Sequence, residues 1–97
     1  MHFKLEIRPL AAIEIWEAFD WYELQRDGLG AEFIDELDAF YTSLLRNPTS
    51  YSYYDKPVRQ GKMSRFPYVV VFEIIDDSII VYSVFMTSQD PGKKRSG

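Results

Sequence analysis

The chain has 97 residues, of which 46% are hydrophobic and 16% aromatic, which is enough for one domain with one core and too short for two. It contains no cysteine, so disulfides, zinc–thiolate sites and thiol nucleophiles are excluded. The net charge of −4 disfavours a globally basic nucleic-acid-binding protein. No apolar run could span a membrane, and the start "MHFKLEIRPL" lacks the apolar stretch of a signal peptide, so we expect a cytoplasmic protein.

Charge is unevenly distributed along the chain. Residues 1–55 carry four cations against eleven anions, whereas residues 56–97 carry seven cations against four anions. We expect a single domain over residues 1–97, with 92–97 as a mobile basic tail. The cations of that tail, Lys93, Lys94 and Arg95, either solubilise the protein or contact DNA, RNA or a partner protein.

The first half of the chain predicts a strand followed by two helices. "FKLEIR" alternates apolar and polar residues, which is typical of a strand. Pro9 suits the first turn of a helix over "LAAIEIWEAFDWYELQRD", and Gly28 can end that helix in a left-handed conformation. A second helix covers "LGAEFIDELDAFYTSLLRNP" and stops at Asn47-Pro48. Because the linker between them is short, the two helices should form an antiparallel hairpin.

The second half predicts a loop and three strands. "TSYSYYDKP" is interpreted as a tyrosine-rich loop, and "VRQGKMSR" as a weak strand with a bulge at Gly61. "FPYVVVFEII" and "IIVYSVFM" are β-branched and aromatic strands joined by the turn "DDS". The fold class is therefore α+β, an antiparallel sheet packed against an N-terminal helical hairpin, in the order β-α-α-β-β-β.

With an even number of residues in its loop, the last hairpin would divide its residues between two faces, whereas an odd loop would break this pairing. Tyr68 then lies beneath the helices, in the core. Glu73 prefers water, so its face is assigned as the open one, away from the helices. The open face would also carry a strongly apolar set, which favours cover by a partner: Val69, Val71, Ile75, Ile80, Tyr82, Val84 and Met86.

Four segments resemble a known family in their order and spacing. They are "AAIEIWEAFDWYELQRDGLGAEFIDELDAFYTSLLRNP", "VRQGKMSRFPYVVVFEI", "IIVYSVF" and "DP". Together they are similar to the RelE/ParE superfamily, the toxins of type II toxin–antitoxin, or plasmid stabilisation, modules. "WYE…GLG…F" and "R…RFPY" are closest to the ParE-like branch. The resemblance implies a sheet packed on a helical hairpin and an antitoxin whose extended segment wraps the toxin.

The resemblance also implies one of two activities. ParE-like members poison DNA gyrase by binding it, whereas RelE-like members cut messenger RNA on the ribosome. Aligned with RelE-like nucleases, Val69 stands where an arginine is usual, and Thr87 and Gln89 stand where further arginines are common. We therefore expect a ParE-like toxin that acts by protein binding. The alternatives are a RelE-type endonuclease, in which Arg59, Lys62, Arg65 and Lys93 would be catalytic, and a degenerate member that only binds antitoxin.

The candidate partner-binding residues are aromatic, basic or on the predicted open face. They are Trp16, Trp21, Arg59, Arg65, Val69, Val71, Tyr82 and Met86. Arg59 and Arg65 either bind phosphate or an acidic antitoxin segment, or are structural arginines that meet the acidic helices. The tyrosines of residues 51–54 either stack on bases, dock a partner or pack at the core edge. The acidic run of residues 32–38 is interpreted as a solvated helix face, so no metal and no cofactor are expected.

Overall fold

The computed structural model describes residues 2–87. Helices α1 (Pro9–Gln25) and α2 (Leu29–Arg46) follow strand β1 (Lys4–Ile7), and a 3-10 turn at Pro48–Ser50 ends the helical part. Four strands complete the fold: β2 (Tyr53–Asp55), β3 (Val58–Lys62), β4 (Tyr68–Ile75) and β5 (Ser78–Met86). No helix within residues 2–87 is long and apolar enough to cross a membrane.

The five strands form one mixed sheet in the order β1-β5-β4-β3-β2. β2 to β5 pair antiparallel in sequence order, whereas β1 pairs parallel with β5. The α+β class and the helical hairpin are confirmed, but the wholly antiparallel sheet is not. The prediction also missed β2, because a strand of three residues is too short to carry an alternating pattern.

The helical hairpin forms as its sequence predicts. Pro9 occupies the first turn of α1, and Gly28 adopts the left-handed conformation, with φ of 88°, immediately before α2. Gly30 allows α2 to lie close against α1, because a Cβ there would stand 2.7 Å from the Phe19 carbonyl oxygen. The carboxylate of Glu23 accepts hydrogen bonds from the N–H groups of Gly28, Gly30 and Ala31, which otherwise have no partner at the start of α2.

The core lies between the helical hairpin and one face of the sheet. Phe33 and Leu44 of α2 and Phe72 of β4 are fully buried. Tyr22, Phe33, Phe66 and Tyr68 form an aromatic group with ring centroids 4.9–6.1 Å apart. Tyr68 therefore lies beneath the helices, as predicted, and burial raises its pKa to about 12.

A β-bulge in β5 changes the predicted faces of the last hairpin. Phe72 pairs with Val81 and Val71 pairs with Ser83, so Tyr82 has no partner across the strand pair. Beyond the bulge, Val84 is 1% exposed within the core and Met86 packs against it, so their assignment to the open face was wrong. The predicted bulge at Gly61 was also wrong, because β3 pairs with β4 without interruption. Gly61 instead makes room for the rings of Phe40 and Tyr51.

Candidate functional site

The outer face of α1 exposes a row of large apolar side chains. Their exposed fractions run from 53% to 83%, and we call the set the α1 stripe: Leu10, Ile13, Trp16, Trp21 and Leu24. The opposite face of the same helix supplies Ala11, Ile15, Ala18 and Tyr22 to the core. Contact between water and five large apolar side chains is unfavourable. Such a surface is typical of a region that another protein covers.

Two members of the α1 stripe, Trp16 and Trp21, were predicted as partner-binding residues. The other three were not singled out, although apolar residues on every side of α1 were the signal available in the sequence. Trp16 makes one edge-on contact with Phe19, with ring centroids 5.5 Å apart, and is otherwise turned to solvent at 59% exposure. The two tryptophans therefore present most of their surface for a contact outside this domain.

A groove of about 350 Å³ lies between α1 and the adjoining ends of β4 and β5, and we call it the α1–β5 groove. Its lining combines apolar and aromatic side chains with two carboxylates and consists of Glu14, Glu17, Ala18, Trp21, Tyr68, Val84 and Met86. Trp21 belongs to both the groove and the α1 stripe, so the two form a continuous surface. Met86 lies here because of the bulge in β5, rather than on the open face.

Glu14 connects α1 to the bulge in β5. One oxygen of its carboxylate accepts a hydrogen bond from the Ser83 hydroxyl at 2.7 Å and another from the Val84 N–H at 2.9 Å. These bonds satisfy a backbone donor that the irregular strand would otherwise leave without a partner. They also hold a carboxylate in the wall of the α1–β5 groove. Nothing in the sequence indicated this contact, because its partners are 69 and 70 residues apart.

Val69, Val71 and Tyr82 lie on the open face, as the sequence predicted. Val69 and Val71 are only 3% and 6% exposed, although neither belongs to the core cluster beneath the helices. On the same face the Tyr82 hydroxyl donates a hydrogen bond of 2.6 Å to Glu73. That bond, more than burial, raises the pKa of Tyr82, because only the protonated hydroxyl can donate it to Glu73.

Arg59 is held by the chain segment that precedes β3. Its guanidinium donates to the carbonyl of Tyr51 at 2.7 Å and to the hydroxyl of Tyr53 at 3.0 Å, and it lies 4.2 Å from the centre of the Tyr53 ring. The neighbouring Tyr54 packs on Phe85, and Tyr51 packs on Phe40 and Phe72. Arg59 therefore holds residues 51–53 beside β3 and has no contact with the acidic helices among these bonds.

Arg65 meets the acidic face of α2. It donates to Glu32 at 2.8 Å, and Arg26 donates to the other oxygen of the same carboxylate at 3.1 Å. The hydrogen bond from Arg65, followed by that from Arg26, lowers the pKa of the exposed Glu32 carboxyl. Glu32 belongs to the acidic run, which thus contributes a surface ion-pair group.

Of the four residues predicted for the nuclease alternative, the three that lie within residues 2–87 contact different parts of the domain. Arg59 contacts residues 49–53, Arg65 contacts α2, and Lys62 lines a cleft beside Glu36, Phe40 and Tyr51. Lys93 and the predicted basic tail lie outside the described residues, as does Gln89.

Comparison with solved structures relates the fold to two toxin systems. The chromosomal ParDE toxin–antitoxin system from P. aeruginosa superposes with a TM-score of 0.77 at 15% identity, covering 88% of this chain and 96% of the other. A mutant of the E. coli toxin RelE in the free state superposes with a TM-score of 0.57, also at 15% identity, covering 98% and 93%. At this identity the two comparisons establish the shared fold.

Comparison of sequences establishes the family. No curated protein matches the chain. A family model matches residues 5–91, and it describes the ParE toxin of the type II toxin–antitoxin system parDE. This match covers nearly all of the domain, including the α1 stripe and the α1–β5 groove. The chain therefore belongs to the ParE toxin family of type II toxin–antitoxin systems.

Proposed function

We propose that this toxin acts by binding other proteins, that a cognate antitoxin neutralises it, and that DNA gyrase is its target. The observation that carries the proposal is the α1 stripe, five large apolar side chains that are each more than half exposed. Apolar and aromatic anchors of this kind dominate the binding energy of protein interfaces. Family membership supports the antitoxin, and resemblance to ParE-like toxins supports gyrase.

The antitoxin is proposed to cover the helical hairpin and the open face of the sheet. Trp16 and Trp21 would be its anchors on α1. Tyr82 and Ile75, of which Ile75 is 45% exposed, would lie under the part that reaches the open face, whereas Val69 and Val71, at 3% and 6% exposed, would contribute little contact surface. Met86 would be reached through the α1–β5 groove. Arg59 and Arg65 would make only peripheral contacts with the antitoxin, because their guanidinium groups already donate hydrogen bonds within this chain.

The contacts and the protonation of the candidate catalytic groups favour protein binding over RNA cleavage. Cleavage at a 2′-hydroxyl needs a base, an acid and cations that stabilise the charge developing on phosphate. Arg59 and Arg65 hold other groups, and a valine, Val69, occupies the central strand position where a nuclease would carry an arginine. With its pKa at about 12, Tyr68 stays protonated at neutral pH and is a poor base.

Purified chain added to DNA gyrase and relaxed plasmid tests the target. We expect loss of supercoiled product, restored by the protein encoded in the reading frame next to the toxin gene. Unchanged supercoiling at high molar excess of the chain would remove gyrase as the target. Primer extension on translated message in expressing cells serves as the second arm, where new cuts would favour the RelE-type endonuclease.

The antitoxin surface is tested with a double variant of the α1 stripe. Trp16→Ser combined with Leu24→Ser should abolish binding of that neighbouring protein while leaving the fold intact, because both side chains are more than half exposed. Asp35→Asn together with Ser43→Ala, at exposed positions of α2, is the matched control and should bind normally. Growth arrest that requires expression without the neighbour would separate an active toxin from a degenerate one.

A further inference from the structure

The α1–β5 groove combines an apolar floor with negative charge. Ala18 and Val84 are buried at its base, and Trp21 and Met86 contribute less buried surfaces. Glu14 and Glu17 provide two carboxylates on the α1 side. Glu14 already accepts two hydrogen bonds from β5, whereas Glu17 makes no hydrogen bond or ion pair with residues 2–87. Glu17 is thus the carboxylate that remains available to a ligand.

The charge of α1 is entirely of one sign. Between Pro9 and Gln25 the charged side chains are Glu14, Glu17, Asp20 and Glu23, and no cation occurs. Arg26 follows directly after the helix, but it pairs with Glu32 of α2. The charge of Glu17 therefore has no cation beside it within the described part of the chain, although it borders an apolar surface that favours an occupant.

We propose that the α1–β5 groove receives a lysine or arginine side chain of the partner protein, with Glu17 recognising its charge. This rests on the proposed function, in that the partner is the protein that covers the α1 stripe. The aliphatic stem would pack on Met86 and on the ring of Trp21, and the charged end would meet Glu17. Glu17 and Trp21 are four residues apart on one helix, so both face the same ligand. The partner segment is therefore basic and apolar rather than acidic.

The other occupants fit the charges less well. A second copy of this chain paired across α1 would bring two acidic surfaces together, because a two-fold interface uses the same patch of both copies. An acidic segment would be repelled directly. The basic tail, with Lys93 to Arg95, has the required charge, but "SQDPGKKRSG" contains no large apolar side chain that could cover the α1 stripe as well.

A small arginine probe tests the groove without any assay of toxicity. In the Trp16→Phe variant Trp21 is the only tryptophan, since the chain has two. Titration with N-acetyl-arginine amide, followed by the NMR resonance of the Trp21 indole N–H, should give saturable binding with a Kd of about 1 mM. N-acetyl-citrulline amide has nearly the same shape without the charge, and should bind at least fivefold more weakly.

Substitution of Glu17 supplies the specific control. Glu17→Gln should weaken the arginine probe about fivefold, the size expected for an exposed ion pair, and Glu17→Lys should remove binding. Asp35→Asn removes an exposed carboxylate from α2 instead, and it should leave the Kd unchanged. Because Glu17 and Asp35 are both exposed, circular dichroism should show all three variants folded.

Three outcomes would overturn the proposal. Equal binding of the citrulline probe, or an unchanged Kd in Glu17→Gln, would show that charge is not recognised. Binding seen only after removal of residues 88–97 would identify the tail as the occupant. Binding that disappears as the chain dimerises in sedimentation would identify a second copy. None of these measurements involves gyrase or the antitoxin. A negative result with the arginine probe would therefore not contradict the proposed function, and unchanged supercoiling would not contradict the proposed role of the groove.

Discussion

Helices α1 and α2 are nearly equal in length, with 17 and 18 residues, but they use their surfaces differently. α2 buries Phe33, Leu37 and Leu44 and turns a polar, largely acidic face to solvent. α1 buries an equivalent face and exposes a second apolar row, of which Leu24 at 83% is the most exposed. The outer surface of α2 is thus explained by solubility, whereas that of α1 is not.

The difference between the helices separates requirements of folding from requirements of binding. Burial of one face is enough to fix each helix on the sheet, since that face supplies the apolar area removed from water. The outer face of α1 adds nothing to this burial and increases the apolar surface in contact with water. The two tryptophans and three aliphatic side chains on that face are the physical basis of our proposal that α1, rather than α2, docks a partner.

The largest expected effect comes from creating a cavity in the core beneath α2. Phe33 is fully buried and touches the rings of Tyr22, Phe66 and Tyr68, so Phe33→Ala should lower the free energy of unfolding by about 3–5 kcal/mol. Leu24→Ala, in the α1 stripe, should change it by no more than about 0.5 kcal/mol. Urea denaturation measures both, and a comparable loss in the two variants would contradict the division between folding and binding faces.

The contact between the two helices should be sensitive to a single methyl group. Gly30→Ala would place a Cβ 2.7 Å from both the Phe19 carbonyl oxygen and Glu23 Cγ, so the helices must separate. The expected loss is about 1–3 kcal/mol in urea denaturation. The Cβ added in Gly28→Ala would have no other atom within 4 Å, so this substitution carries only the cost of a left-handed backbone. Its loss should be the smaller of the two, about 1 kcal/mol, and the reverse order would exclude close helix packing as the reason for Gly30.

Two glutamates of α1 should respond differently to the same substitution. Glu23 accepts hydrogen bonds from three N–H groups at the start of α2, where negative charge is also favourable, so Glu23→Gln should lower stability by about 1 kcal/mol. Glu17→Gln should have an effect within about 0.5 kcal/mol, because the side chain is exposed and has no partner in the described structure. Thermal unfolding monitored by circular dichroism distinguishes them, and equal shifts in Tm would argue against a capping role for Glu23.

The smallest expected effect is the pH dependence from Glu32. Because its pKa is lowered in the folded chain, by Arg65 first and Arg26 second, it stabilises the fold at pH values above its unfolded pKa. That contribution is lost as pH falls through the folded pKa, and it stays small because the group is exposed. An NMR titration of the Glu32 carboxyl should give a midpoint below its ordinary value. Arg65→Gln should move the midpoint upward, and Arg26→Gln should move it by less.

Strand periodicity predicted most of the sheet but not its irregular parts. β4 and β5 were found because β-branched and aromatic residues follow one another along both strands. The same uninterrupted apolar run gave no indication of the bulge at Tyr82. A bulge can be recognised in a sequence where the alternation of apolar and polar residues is interrupted, and β5 has no such alternation. The prediction therefore placed Val84 and Met86 on the open face and did not anticipate the α1–β5 groove, to which both contribute.

The polar contacts of the candidate site were less accessible than the helices. Trp16 and Trp21 could be selected as surplus aromatics, because the core stripe of α1 was already complete without them. Glu14 could not be linked to Ser83, because nothing in the sequence connects residues 69 positions apart. The partners of Arg59 and Arg65 were undetermined for the same reason.

The sequence by itself determined the two helices, the principal strands, the α+β class and the resemblance to RelE/ParE toxins, because these depend on local periodicity and on motifs in order. Tertiary structure alone decided the parallel pairing of β1, the bulge at Tyr82 and the position of Met86. It also decided that Glu14 and Glu17 border an apolar groove. These features depend on contacts between segments distant in the chain, whose geometry is fixed only when the helices pack on the sheet.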